Sequence, residues 1–129
     1  MDLKRALAGQ FRAGLAMLRE CVELCPDEMW AAVVDQPPRT TWRIAYHAVF
    51  YTHFYLSQTR ADFTPWGRHV DHAVMTYADE DEEMPPEGTV FSQADLTEYI
   101  DYVSERMDGL LEALDLESPD SGFPWYPDF

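Results

Sequence analysis

Four histidines are the residues of this chain best suited to chemistry, because imidazole binds metal ions and titrates near neutral pH. His47 and His53 lie six residues apart, which is about 120° around a helix, so they cannot bind one small ion from the same helix. His69 and His72 are three residues apart and would share a face only on a helical turn. This spacing alone favours a solvated loop over a metal site.

His47 and His53 face different neighbours on their predicted helix. Tyr51 and Phe54, one and two turns after His47, share its face, so a site there would be partly aromatic. Taken alone, His47 is either a metal ligand or, more simply, a core or pocket histidine with a hydrogen-bonded neighbour. His53 faces the side that carries Trp42, and packing with one hydrogen bond explains it.

Cys21 and Cys25 are four residues apart on one predicted helix. Two thiols on consecutive turns are poorly placed for a disulfide and would close only a very short loop. A reactive thiolate needs a positive field nearby. The neighbouring charges are negative instead: Glu20, Glu23, Asp27 and Glu28. We therefore predict structural, reduced thiols, as in a cytoplasmic protein.

Acidic side chains dominate the composition, with 24 Asp and Glu against 9 Lys and Arg and a formal net charge of −15. Such a surface repels phosphate, and no basic stripe offsets it, so neither nucleic acid nor an anionic membrane surface is an expected partner. The acidic run Asp79–Glu83 lacks the alternating spacing and turn glycine of a calcium loop, which favours a solvated loop. The N-terminus is charged early and lacks the apolar segment of a signal peptide, so we expect a cytoplasmic protein.

The stretch Thr40–Gln58 must position whatever chemistry the chain has. No Asp or Glu occurs between Gln36 and Ala61, and no formal charge occurs from residue 44 to 59. Six aromatic residues fall in it: Trp42, Tyr46, Phe50, Tyr51, Phe54 and Tyr55. They go all the way around a helical wheel, and a helix that is apolar on every side must be covered on every side. We predict the central helix of a bundle, since the uncharged run is shorter than the ~20 residues that cross a bilayer.

The rest of the pattern predicts a single all-α domain. Its long helices are expected at about residues 2–25, 41–59 and 92–115. Residues 60–91 form an irregular connector with a turn at Pro65-Trp66-Gly67. Residues 116–129 form a proline-rich tail whose aromatic side chains should pack onto another surface. Ser92 followed by Asp95 predicts a capping box at the start of the last of these helices.

The layout and one short stretch resemble the DinB/YfiT-like superfamily. The specific part is Trp42-Arg43-Ile44-Ala45-Tyr46-His47, which follows a long first helix and a connector with Pro26-Asp27-Glu28 and Trp30. Members of that superfamily are up-down four-helix bundles and metal-dependent enzymes. In them, a histidine at this place on the second helix is one of three histidine ligands to a divalent ion such as nickel or zinc. His47 is the position that matches.

The resemblance also implies a function. Members with known chemistry use the ion to activate a low-molecular-weight thiol for transfer or isomerisation. It therefore implies a metal-dependent transferase or isomerase with a small-molecule substrate, with His47 as a metal ligand and Tyr51 lining the substrate pocket. The other two family ligands come from an H-x-x-x-H motif on a final helix, and this sequence has none. We expect the natural chain to continue past Phe129 into that helix, against the alternative that this member has lost the site.

A second function stays open, namely a non-catalytic helical bundle that serves as a binding or dimerisation module. In that case His47 is a core group with a satisfied hydrogen bond. Three amphipathic helices leave one flank of the central helix uncovered, so a fourth helix or a second chain must fill it. We predict a homodimer.

Overall fold

The computed structural model describes residues 2–34, 39–74, 90–119 and 122–123, and this part of the chain is mostly helical. Its helices are α1 (Leu3–Leu24), α2 (Asp27–Trp30), α3 (Thr41–Tyr55) and α4 (Gln93–Glu112). Single 3₁₀ turns lie at Arg60–Asp62 and Asp71–Ala73. A short antiparallel pair, which the sequence did not predict, joins β1 (Val33–Val34) to β2 (Arg39–Thr40). The predicted all-α class is confirmed, while the type of bundle stays a prediction.

The helices α1 and α4 form the most extensive helix pair among the described elements. Both have an apolar stripe at helical spacing, and the buried residues are Ala8, Leu15 and Val22 on α1 and Leu96, Tyr99, Ile100, Val103, Met107 and Leu111 on α4. Arg12 pairs with Asp108 at 2.9 Å, and Arg19, two turns later, pairs with Asp101 at 2.9 Å. Because the partner number falls as the α1 number rises, the two helices are antiparallel.

The predicted capping box at the start of α4 is confirmed. The Ser92 hydroxyl accepts from the Asp95 backbone N–H at 3.0 Å, and the Asp95 carboxylate accepts from the Ser92 N–H at 2.9 Å. Two of the donors that a helix leaves without an intrahelical partner are therefore satisfied by side chains.

The helix α3 ends at Tyr55, four residues before the predicted end at residue 59. Polar side chains after it make bonds that a continuing helix could not make. The Gln58 side-chain oxygen accepts from the Asp115 N–H at 2.6 Å, and its amide nitrogen donates to the Asp115 carbonyl at 3.4 Å. The Thr59 hydroxyl caps the 3₁₀ turn by accepting from the Asp62 N–H. Such side-chain to backbone bonds compete with the helical pattern. The end of α3 is thereby joined to the segment after α4.

The connector and the tail pack onto α3 and α4 where the structure describes them. The predicted turn is present, with the His69 N–H bonded to the Trp66 carbonyl at 2.9 Å, and the buried Trp66 ring stacks on Tyr99. From the tail, the Phe123 ring lies 5.0 Å from that of Phe54. The preceding Gly122 has a φ of 76°, and a Cβ there would lie 2.2 Å from a backbone oxygen. The acidic run Asp79–Glu83 lies outside the described residues.

One prediction for α3 is wrong, because the helix is not covered on every side. Ile44 is 45% exposed and Tyr55 is 48% exposed, while His47 and Tyr51, on the same flank, are half-buried. The buried residues of the helix are Trp42, Arg43, Ala45, Tyr46, Val49, Phe50, His53 and Phe54, and Phe54, two turns after His47, borders the exposed flank. None of the helices in the described ranges is long and apolar enough to cross a membrane.

Candidate functional site

His47 lies on the partly exposed flank of α3 with one ring nitrogen engaged. Its Nδ1 is 2.7 Å from the Val74 carbonyl oxygen. Because a carbonyl only accepts, Nδ1 carries a proton and donates, and in the neutral form of the ring the lone pair is on Nε2. The Tyr51 ring lies 4.6 Å from the imidazole, tilted by 53°. Of the two side chains predicted on this face, Tyr51 therefore contacts the imidazole, and no described residue makes a hydrogen bond with the second ring nitrogen.

The hydrogen bond to Val74 comes from a distant part of the chain. Val74 follows the 3₁₀ turn Asp71–Ala73, which packs against α3 with Ala73 fully buried. That turn brings the carbonyl to the imidazole across 27 positions of sequence. This contact could not be predicted from the sequence, because a backbone carbonyl is present at every residue and leaves no residue-specific pattern.

His53 is a buried core histidine, as predicted. It is 4% exposed, and its Nδ1 lies 2.8 Å from the Tyr99 hydroxyl on α4. Burial lowers the pKa of His53 to about 4, with smaller contributions from the positive charge of Arg106 and from His69. The imidazole is therefore neutral at physiological pH, and its polar atom is used in packing α3 against α4.

Tyr46, His69 and Asp71 form a hydrogen-bonded chain from the core to the surface. The Tyr46 hydroxyl lies 2.5 Å from His69 Nδ1, and His69 Nε2 lies 3.0 Å from an Asp71 carboxylate oxygen. Tyr46 is fully buried and Asp71 fully exposed. Burial raises the pKa of Tyr46 above its ordinary value, so the phenol keeps its proton and donates to Nδ1. Nε2 then carries the ring proton and donates to Asp71.

The position of His69 corrects the expectation of a solvated loop. Its side chain is 11% exposed, and the ring packs in parallel orientation against both Tyr46 and Phe50, at 5.9 and 4.8 Å. Both ring nitrogens are engaged, so this imidazole has no lone pair left for a metal ion. Two aromatic side chains of α3, Tyr46 and Phe50, are therefore covered on this side by His69 from a loop rather than by a neighbouring helix.

His47 is the one residue of this chain that was predicted to ligate the implied metal ion, and that role stays a prediction. Within residues 2–34, 39–74, 90–119 and 122–123, no three His, Cys, Asp or Glu side chains converge in a way that could hold a metal ion. In its neutral form His47 has the tautomer that a ligand needs, but it is not part of any such group of three among the described residues. The pockets lined by described residues lie elsewhere, and one of about 510 Å³ has Trp66, Tyr102 and Arg106 in its wall.

A comparison of the chain with known proteins finds no matching family model, no matching curated protein and no matching solved structure. The resemblance to the DinB/YfiT-like superfamily thus stays a prediction that rests on the Trp42–His47 stretch and on the layout of the helices.

Proposed function

We propose that this chain is a metal-dependent helical-bundle protein of the DinB/YfiT type, in which His47 provides one ligand through Nε2. The ion expected is nickel or zinc, and the expected reaction is the transfer or isomerisation of a small molecule with a thiol as co-substrate. Tyr51 is proposed to line the substrate side of the site, because its ring lies against the imidazole.

The observation that carries this proposal is the hydrogen bond from His47 Nδ1 to the Val74 carbonyl at 2.7 Å. Histidines that ligate metals nearly always donate their other ring N–H to a carbonyl, a carboxylate or water, which fixes the tautomer and orients the ring. Of the three histidines with described side chains, His53 is buried against Tyr99 and His69 uses both nitrogens. His47 alone among these three combines partial exposure with an oriented, unprotonated nitrogen.

The donor set of the described residues is incomplete, so no reaction step is assigned. One imidazole fits a nickel or zinc site, and the remaining ligands must come from other residues. A bound divalent cation would lower the pKa of a coordinated thiol and so supply the thiolate nucleophile. Of this chain's own residues, His47 would hold the ion and Tyr51 would exclude water from one side. No catalytic base is proposed.

Metal binding by two variants tests the proposal. His47→Ala removes both ring nitrogens, whereas His47→Asn keeps a side-chain N–H close to the position of Nδ1 and can still donate to Val74. We expect the unaltered chain to bind nickel or zinc in isothermal titration calorimetry, and both variants to lose that binding. We also expect His47→Asn to keep the melting temperature of the metal-free protein. Equal metal binding by the chain and by His47→Asn would contradict the assignment.

The second candidate is a non-catalytic binding or dimerisation module. The exposed flank of α3 favours it, because Ile44 and Tyr55 present large apolar surfaces to solvent. The predicted homodimer belongs to both candidates. Light scattering on the 14.9 kDa chain tests it, and a mass of two chains is the expected result.

A further inference from the structure

Two buried polar atoms at the start of α3 have no hydrogen-bond partner among the described residues: Arg43 Nη1 and Thr40 Oγ1. The whole Arg43 residue is 4% exposed. Thr40 immediately precedes α3, and Arg43 is the third residue of the helix. A guanidinium nitrogen that is sealed from water and lacks an acceptor is uncommon, because buried charged groups in proteins are almost always hydrogen-bonded.

Arg43 lies in the first turn of α3, and Thr40 is the N-cap of the same helix. In a helix each Cα–Cβ bond tilts toward the N-terminus, and residues three apart share a face, so the Arg43 side chain leaves the helix on the side of Thr40. Its guanidinium carbon lies 5.3 Å from the centre of the Trp42 ring, which belongs to the first turn. The helix is 15 residues long, so its N-terminus adds a positive dipole end at the same place.

The helix itself supplies no negative charge there. The Thr40 side chain makes no cap bond, and the first turn of α3 contains no acidic residue. The contrast with α4 is direct, since Asp95 fills that role at its N-terminus. The face of Trp42 offsets part of the cost of burying Arg43, but it gives the N–H group at Nη1 no hydrogen-bond acceptor. The guanidinium of Arg43 and the positive end of the helix dipole therefore lie near the Thr40 hydroxyl, which has no hydrogen-bond partner among the described residues.

We propose that the N-terminus of α3 is a binding site for a small oxyanion, either a carboxylate or a phosphate group. Arg43 would bind two of its oxygens, the Thr40 hydroxyl would donate to it, and the backbone N–H groups of the first turn would complete the cradle. This site does not depend on a metal at His47, and it is tested on metal-free protein.

The first experiment titrates the 129-residue chain with inorganic phosphate and, separately, with acetate. Buffers are passed over a chelating resin and held at constant ionic strength with chloride, because a soluble carboxylate chelator would itself compete for the site. We expect one of the two anions to raise the melting temperature by several degrees in a saturable way and to bind in isothermal titration calorimetry. The anion that does so identifies the ligand class.

Variants connect that binding to the two residues. Arg43→Met should abolish the rise and weaken binding about tenfold or more, and in anion-free buffer it should melt above the unaltered chain, since an unpaired buried charge has been removed. Thr40→Val should weaken binding about threefold to tenfold. Arg5→Met is the matched control: it removes the same charge from an exposed position on α1 and should leave the response unchanged.

Two results overturn the proposal. One is the absence of saturable binding of either anion to the unaltered chain, which needs no variant to fold. The other is an equal response in the unaltered chain and in Arg43→Met or Thr40→Val. Arg43 would then be a structural cation that is stabilised by Trp42 alone.

Discussion

The α1–α4 pair and the helix α3 are stabilised by different kinds of contact. Between α1 and α4 the buried stripes are mostly aliphatic, and the charged pairs lie at the edge, such as Arg12 with Asp108. Around α3 the core is built from rings, and several carry polar atoms that must be bonded, such as His53 with Tyr99. An aliphatic stripe therefore indicates from the sequence which side of a helix is buried. A helix rich in Tyr and His does not, because these side chains can bury their rings while their polar atoms form hydrogen bonds.

The largest expected effect tests the aliphatic side of this comparison. Leu15→Ala removes a side chain that is 3% exposed in the α1–α4 interface, and it should lower the free energy of unfolding by about 3 kcal/mol through lost burial and a cavity. Leu24→Ala, at the end of the same helix and 73% exposed, is the matched control and should change it by less than about 0.5 kcal/mol. Urea denaturation measures both. Similar losses for the two would mean that α1 does not bury this stripe.

The next largest effect concerns His53 in the ring-rich core around α3, and it is measured as the pH dependence of stability. The folded pKa of His53 is lowered from 6.5 to about 4, so between these values the unfolded state binds more protons. Stability from this group is fully present above pH 6.5 and is lost as the pH falls toward 4, by about 3 kcal/mol in total. His53→Asn can still reach the Tyr99 hydroxyl but cannot titrate.

The test for His53 is the difference between the two pH profiles, since the many carboxylates contribute equally to both. The unaltered chain should lose stability relative to His53→Asn as the pH falls from 6.5 to 4. The groups around the imidazole are His69, Tyr99, Tyr102 and Arg106, and none of them should reverse this sign. Parallel profiles would show that His53 keeps its ordinary pKa in the folded protein.

A smaller effect compares the two helix starts. Ser92→Ala removes the side-chain cap of α4 and should cost about 1 kcal/mol of stability. Thr40→Ala removes a hydroxyl that makes no cap bond to α3 and should change stability by a few tenths at most. Thermal denaturation of the two variants measures the contrast. An equal loss in both would mean that Thr40 caps α3 after all.

The smallest effect is expected for an ion pair at the surface, between α1 and α4. Asp108→Asn removes the partner of Arg12, and both side chains are largely exposed, at 73% and 41%. Such pairs contribute little because water and salt screen them, so a loss below about 0.5 kcal/mol is expected. A loss above about 1 kcal/mol by urea denaturation would show that the edge contacts, rather than the apolar stripes, hold α1 against α4.

The same contrast explains how much could be predicted from the sequence. The helices α1 and α4 were predicted to within a few residues, and the capping box at Ser92 was predicted correctly, because these features depend on periodicity and on neighbours three or four residues away. The end of α3 was missed, since Gln58 bonds to Asp115 across 57 positions. One uncovered flank of α3 was expected, but which flank it would be was not predicted, because the composition of that helix does not distinguish its faces.

For the candidate site, the sequence identified residues but not their bonds. His47 and Tyr51 do share a face, as helical spacing predicted. Three features depend on where the loops pack against α3, and no local sequence pattern encodes that. They are the bond of His47 to the Val74 carbonyl, the position of His69 among the rings, and the absence of a hydrogen-bond partner for Arg43 Nη1 among the described residues. The site's remaining metal ligands stay a prediction from the family resemblance.

The central claim is that His47 presents an unprotonated Nε2, oriented by Val74, as a metal ligand. Long-range ¹H–¹⁵N correlation spectra of the metal-free protein test it most directly, because they distinguish the two neutral tautomers of each histidine. We predict the Nδ1–H form for His47, with its Nε2 resonance shifting when zinc or nickel is added, and the Nε2–H form for His69, unchanged by the metal. A proton on Nε2 of His47, or a His47 spectrum that the metal leaves unchanged, would contradict the account.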